Sequence, residues 1–216
     1  MCAAPCAVLP VCAVCHSAAL QTKPRCPRCA TPQGIAYGAH YGSVHGTVCG
    51  ACISKPPAFD AAVCVGDFDA PLSELIWQLK FREKTVLAPY LAGLLSERLH
   101  GLGIGLIVPV PLFHTRLAER GFNQSWEIVK ALKGTVPTAH ALTRLRDTPS
   151  QRSVSGAQRF SNVRHAFAAD ASVRGLHVLL VDDVVTTTAT VQACSQALKV
   201  AGAQRVTVAC IARVSD

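Results

Sequence analysis

The sequence predicts an α/β protein: a doubly wound parallel sheet preceded by a small cysteine-rich module. Three observations carry this. Short apolar runs alternate with segments of helical periodicity from residue 62 to residue 211. One of those runs ends in two carboxylates, Asp182 and Asp183, followed by a threonine-rich loop and a helix start. Nine of the 11 cysteines fall between Cys2 and Cys64, six of them as three C-x-x-C pairs.

The chain has 216 residues, half of them hydrophobic and 16% charged. That suffices for one α/β domain with a core plus an accessory module, and excludes a globally disordered chain. The net charge of +8 favours anionic partners, among them nucleotides, sugar phosphates, nucleic acid and acidic lipid head groups. Charge alone does not choose among these, or between them and a merely solvated basic face. An odd number of cysteines in C-x-x-C spacing suits a metal in a reducing compartment better than a closed disulfide framework. Residues 1–15 lack a basic leader segment and carry Pro5 and Pro10, and no window holds 18 uninterrupted apolar residues. The expectation is a soluble cytoplasmic protein without a membrane span.

Residues 1–57 form the cysteine-rich module, closing at Lys55-Pro56-Pro57, and residues 58–216 form the second domain. Alternation over 62–66 predicts a strand. Leu72, Leu75, Ile76 and Leu79 share one helical face, which predicts a helix over 72–81. Residues 86–99 predict a second helix. The run 105–110, bounded by Gly and Pro, predicts a buried strand. Residues 116–133 predict a helix ending before Gly134. The polar stretch 141–164 is long for a structureless loop, and predicts a functional flap. Residues 177–181 predict a strand, 190–201 a helix stopped by Gly202, and 205–211 a last strand.

The segment 178–190 is the most informative. In an open α/β sheet, ligands meet the carboxyl ends of strands. A loop-to-helix junction adds free backbone N–H groups and the positive end of the helix dipole, which suits a phosphate monoester. Hydroxyls of Thr186, Thr187 and Thr190 supply further donors, and Thr190 is a candidate helix cap. Asp182 and Asp183 are poor phosphate ligands but good acceptors for ribose hydroxyls, directly or through a cation. Anion donors beside a carboxylate pair point to a phosphorylated sugar.

This segment resembles the phosphoribosyl diphosphate (PRPP) motif of type I phosphoribosyltransferases. From about Cys12 to Arg213 the chain resembles the ComF/GntX family, which couples that fold to an amino-terminal zinc ribbon. The resemblance implies that Asp182 and Asp183 are catalytic. It places the 5′-phosphate at Thr186, Thr187, Thr188, Ala189 and Thr190. The family's motif usually has Gly where this sequence has Thr188, a departure that bears on affinity more than on fold, because a Cβ there crowds the phosphate or strains a positive-φ residue. The resemblance also assigns Pro109, Val110, Pro111 and Leu112, with Arg116, to the pyrophosphate. Arg116 and Arg120 lie four apart, so one helical face presents two guanidiniums able to chelate a diphosphate or a nucleic-acid backbone; Asn123 and Gln124 add neutral donors. In the flap, Arg144, Arg146 and Gln151 are candidates to reach the diphosphate or an acceptor, or are surface charges.

Two C-x-x-C knuckles supply the four thiolates of a structural, tetrahedral Zn2+. Cys26/Cys29 and Cys49/Cys52, nineteen residues apart, match the family's most recognisable knuckles. Iron–sulfur ligation and metal-free thiols are the other readings. Cys12/Cys15 is a third pair without an evident partner pair, Cys2 and Cys6 being more widely spaced. Cys64, Cys194 and Cys210 read as small core residues, and His40 and His45 as loop residues. The function so implied is PRPP binding with Mg2+, as a phosphoribosyltransferase of unknown acceptor or as a non-catalytic sensor. Family members are linked to DNA uptake in natural competence, which implies single-stranded DNA and competence proteins as partners. Phe81, Phe122, Tyr37 and Tyr41 are candidate stacking residues or packing residues.

Overall fold

The structure of the protein, a computed structural model, describes residues 10–20, 23–34, 46–132, 134, 136–146 and 166–214. In chain order the elements are helices α1 (Ala13–Ala19) and α2 (Gly50–Ser54), strand β1 (Ala61–Asp67), helices α3 (Leu72–Phe81) and α4 (Ala88–Ser96), and strand β2 (Leu106–Pro109). Helices α5 (His114–Arg120) and α6 (Gln124–Ala131) follow, then strands β3 (Leu142–Arg144), β4 (Phe167–Ala169) and β5 (His177–Val185), helix α7 (Ala189–Val200) and strand β6 (Arg205–Arg213).

The central sheet has the order β1-β6-β5-β2, and every pairing in it is parallel. Side chains of a strand alternate between faces, so each strand feeds two cores. Val178 and Leu180 of β5, Val206 and Val208 of β6, and Val108 of β2 pack with Val191, Cys194 and Leu198 of α7. Cys26, Cys29 and Cys52 belong to this same buried cluster. Leu179 and Val181, Ile211 and Ile107 face the other way, onto Leu75, Ile76 and Leu79 of α3, Leu91 and Leu95 of α4, and Ile128 of α6. Val11 and Ala19, flanking and ending α1, close that second core. Helices on both faces of a parallel sheet are the doubly wound architecture predicted from the alternation.

Three elements differ from expectation, each for a local reason. The helix predicted over 116–133 is two helices. Gly121 ends α5 with φ +77°, and the Asn123 side chain restarts the chain as α6 by accepting from the N–H groups of Ser125 and Trp126. The strand predicted over 177–181 runs on to Val185, because β6 continues alongside and pairs Val184 with Ala212 and Val185 with Arg213. The cysteine-rich segment, for which the sequence predicts no element, contains α2 and also α1, whose first turn is capped by the Cys12 thiol. The flanks of the predicted flap form the antiparallel pair β3–β4. Gln151 and the remainder of the flap lie outside the described residues, as do Cys2, Cys6, Tyr37, His40, Tyr41 and His45. Among the described residues no helix is long and apolar enough to cross a membrane.

Candidate functional site

Strand β5 delivers the chain to the carboxyl edge of the sheet, and three residues, 186–188, turn it into α7. Asp182 and residues 184–191 line a small cavity of ≈ 30 Å³ there. No acidic residue occupies the first turn of α7, so the positive end of its dipole is uncompensated by side chains. The hydroxyl of Thr187 is buried and has no hydrogen-bond partner in this structure. An orphaned buried hydroxyl costs about 1–3 kcal/mol, which an anion accepting from it would recover. Thr188, at the cap position, has φ +61° and makes no side-chain cap bond. Thr188 therefore carries a Cβ in a left-handed conformation.

The two carboxylates have different surroundings. Strand alternation turns Asp182 toward the α7 side and Asp183 toward α3 and α6. Asp182 lines the cavity, and its Oδ1 accepts from Ser125 Oγ (3.0 Å) and from the Asp183 N–H (2.9 Å). Burial, then the charge of Asp183, push the Asp182 carboxyl up to about 7, against the pull of Lys80. Asp183 is 3% exposed and forms an ion pair with Lys80 at the end of α3. Gln124 Nε2 donates to its Oδ1 at 3.4 Å, and Arg120 Nη1 donates to Gln124 Oε1 at 2.6 Å. Lys80 and Ser125 were not singled out in the sequence. Neither has a signal there, because each acts through a strand 57 or more residues away that only packing brings near.

The segment 109–112 lies beside this edge because Pro109 of β2 pairs with Val181 of β5. Both backbone groups of Val110 serve the fold. Its N–H donates to Val181 O (2.8 Å), and its carbonyl accepts from Asn123 Nδ2 (3.0 Å). Pro111 and Leu112 are half-buried at the rim. Arg120 is half-buried, with its guanidinium 5.6 Å from the Phe81 ring. Burial lowers its pKa, and Asp183 and Arg116 act in opposite senses on it. Arg116 is half-buried one turn earlier on α5. The structure thus gathers Asp182, residues 186–190, the 109–112 segment and both arginines around one end of the sheet. Arg144 of the flap stacks over Phe167 at 5.5 Å and Arg146 is exposed; Asn123 is spent on capping α6.

On the α7 side of the sheet, the sulfurs of Cys26, Cys29, Cys49 and Cys52 all lie within 4.8 Å of one another. Zinc–sulfur bonds of about 2.3 Å in a tetrahedron require sulfurs about 3.8 Å apart, and Cys29 Sγ and Cys49 Sγ are 3.7 Å apart. The donor set fits a closed structural metal site. Burial raises the thiol of Cys26, yet backbone N–H groups of Cys49, Cys29 and Arg28 outweigh it and bring the pKa down to about 7. Burial pushes the thiols of Cys29 and Cys52 up. Cys12 and Cys15 lie on α1, away from this group. Cys64, Cys194 and Cys210 are buried core residues, as predicted.

Most of the chain is similar to known proteins. Residues 117–216 match the phosphoribosyl transferase domain. The chain is 37% identical over 214 residues to the DNA utilization protein YhgH of Salmonella typhi, covering 94% of this chain and 90% of that one. It is 33% identical over 193 residues to competence protein F of Haemophilus influenzae, covering 82% and 84%. Among solved structures, the glutamine PRPP amidotransferase of B. subtilis complexed with ADP and GMP aligns with a TM-score of 0.40 at 22% identity, over 58% of this chain and 26% of that one.

Proposed function

The chain belongs to the ComF family, and from that premise we propose that it binds PRPP at the carboxyl edge of its sheet, as part of the handling of incoming DNA. The observation that carries the reading is the loop 186–188, where the buried Thr187 hydroxyl lacks a partner beside an uncompensated helix start. Backbone N–H groups of residues 186–190, Ala189 included, and the hydroxyls of Thr186, Thr187, Thr188 and Thr190 take the 5′-phosphate. Asp182 accepts the ribose hydroxyls. Asp183, paired with Lys80, keeps a second negative charge behind it. Pro111 and Leu112 border the diphosphate, Pro109 and Val110 hold that segment in register, and Arg116 and Arg120 neutralise it. Mg2+ bound with PRPP would supply charge neutralisation to the leaving diphosphate. In a phosphoribosyl transfer the ribose C1–O bond to diphosphate breaks as an acceptor attacks C1, and Asp182 stabilises the positive charge that develops on the ring. The cysteine cluster holds structural Zn2+.

The test is calorimetric titration of zinc-loaded protein with PRPP and magnesium, with ribose 5-phosphate as comparator, in wild type and Asp182→Asn. Saturable binding of PRPP that weakens at least ~10-fold in the variant supports the reading. Equal, weak binding of both ligands in both proteins rejects it. Pyrophosphate release on adding candidate acceptors then separates an enzyme from a sensor.

A second reading, single-stranded DNA binding near the same edge, is favoured by one feature. Trp77 and Phe81 of α3 are exposed (43% and 50%), with ring centroids 6.1 Å apart, and Arg82 and Arg120 lie over them at 5.2 and 5.6 Å. Aromatic platforms with adjoining guanidiniums accept stacked bases. Titration with an oligonucleotide should quench tryptophan fluorescence in wild type and lose affinity in Trp77→Ala with Phe81→Ala. A salt-independent affinity would eliminate this reading.

A further inference from the structure

One buried cation joins the cysteine cluster to the 186–188 loop. Arg213, at the end of β6, is 5% exposed. Its Nη1 donates to the carbonyl oxygens of Val185 (3.1 Å), Thr186 and Val214 (2.6 Å). Its Nε donates to Cys29 O (3.4 Å), and its Nη2 to Thr31 Oγ1 (3.5 Å). Thr31 Oγ1 lies in turn 3.1 Å from Cys29 Sγ. A guanidinium is a rigid plane of five N–H donors, so a carbonyl displaced at one edge is felt at the other. Its charge is met here by carbonyl dipoles, next to a cysteine of the cluster. Four thiolates around a divalent ion would leave a net negative charge, which the Cys29 carbonyl and Thr31 place close to this buried cation.

We propose that Arg213 is a positioning residue that couples metal occupancy at Cys26, Cys29, Cys49 and Cys52 to the conformation of the 186–188 loop. With metal bound, the Cys29 carbonyl and Thr31 are fixed. Arg213 then holds the Val185 and Thr186 carbonyls, and the following N–H groups stay aimed at the anion. Without metal the knuckle loosens, Arg213 loses one set of acceptors, and the loop is released while the sheet remains. The ligand consequence rests on the PRPP reading given above; the conformational coupling does not.

The experiment is amide hydrogen exchange on the full chain, zinc-loaded and chelator-extracted, in wild type, Arg213→Lys and Thr31→Val, with a parallel Mg–PRPP titration. In wild type, extraction should speed exchange at 186–190 by ~10-fold or more while residues 178–181 stay protected. In Arg213→Lys the loop should exchange fast in both states, with the metal effect reduced to under ~2-fold. Thr31→Val, which retains all four cysteines, should speed loop exchange with zinc still bound. Equal responses to extraction in wild type and Arg213→Lys would overturn the proposal, as would a wild-type loop indifferent to extraction. If extraction melts the whole sheet, Thr31→Val decides: faster loop exchange in the zinc-loaded variant supports the coupling, and unchanged exchange rejects it. Absence of PRPP binding in every protein would reject the functional reading and leave the exchange result to judge the coupling.

Discussion

Replacing Thr188 by glycine is the most direct probe of the 186–188 loop. The residue has φ +61° and ψ −6°. A left-handed conformation costs an L-residue with a Cβ roughly 1–2 kcal/mol. Glycine removes that strain but gives the unfolded chain more freedom, a loss of about 0.5–1 kcal/mol. Deleting the hydroxyl removes no cap, because the side chain makes no cap hydrogen bond. The backbone bond from Gln192 N to Thr188 O is independent of the side chain. The net gain is about 0.5–1 kcal/mol, which for a chain of this size raises Tm by about 2 °C. Differential scanning calorimetry of wild type, Thr188→Gly and Thr188→Ala reads it, with Mg–PRPP titration on the same samples. Glycine should stabilise the fold and tighten PRPP binding, whereas alanine, which keeps the Cβ, should do neither. If alanine stabilises as much as glycine, the strain argument fails and the hydroxyl or the β-branch is the cause.

The remaining predictions concern the charges, the cap and the metal. Asp182 is pushed up to about 7 by burial and by Asp183, so the folded state holds a proton that the unfolded chain, with a carboxyl near 3.9, has lost. This group therefore makes stability fall as pH rises from about 4 to about 7, and Asp182→Asn should flatten that slope in urea titrations. Ligation through Asp182 needs the carboxylate, so Mg–PRPP affinity should rise between about pH 6 and pH 8 and level off above it. Lys80→Met leaves Asp183 buried without its cation and should cost about 3 kcal/mol by urea unfolding, most of it recovered when Asp183→Asn is added. Asn123→Ala removes the cap of α6 and the bond to Val110 O, and should cost about 1–2 kcal/mol while lowering affinity for diphosphate. Cys26→Ser should abolish zinc retention by elemental analysis, and a fully folded, metal-free wild type would refute the structural zinc site.

Local sequence patterns specify most elements and the chemical types at the site. Period-2 and period-3.6 patterns are local, so the parallel sheet with helices on both faces, the helix over 72–81 and the loop–helix junction after Asp183 were legible from spacing. The C-x-x-C spacing marked three cysteine pairs, and the family resemblance singled out the two whose sulfurs the fold gathers within 4.8 Å. The break at Gly121 is also written locally, in a glycine followed two residues later by a capping asparagine, although the apolar pattern continues across it and by itself predicts one helix. Which groups meet depends on packing between distant segments. Lys80 reaches Asp183 because α3 packs on the face toward which strand alternation turns that carboxylate, leaving Asp182 to line the cavity. Strand β5 runs on to Val185 because β6 offers a parallel edge that long, a partner no window of sequence contains. Arg213 joins the cysteine knuckle to the 186–188 loop because a buried guanidinium must satisfy its N–H groups, and folding brings those carbonyls to it from 28 and 184 residues away.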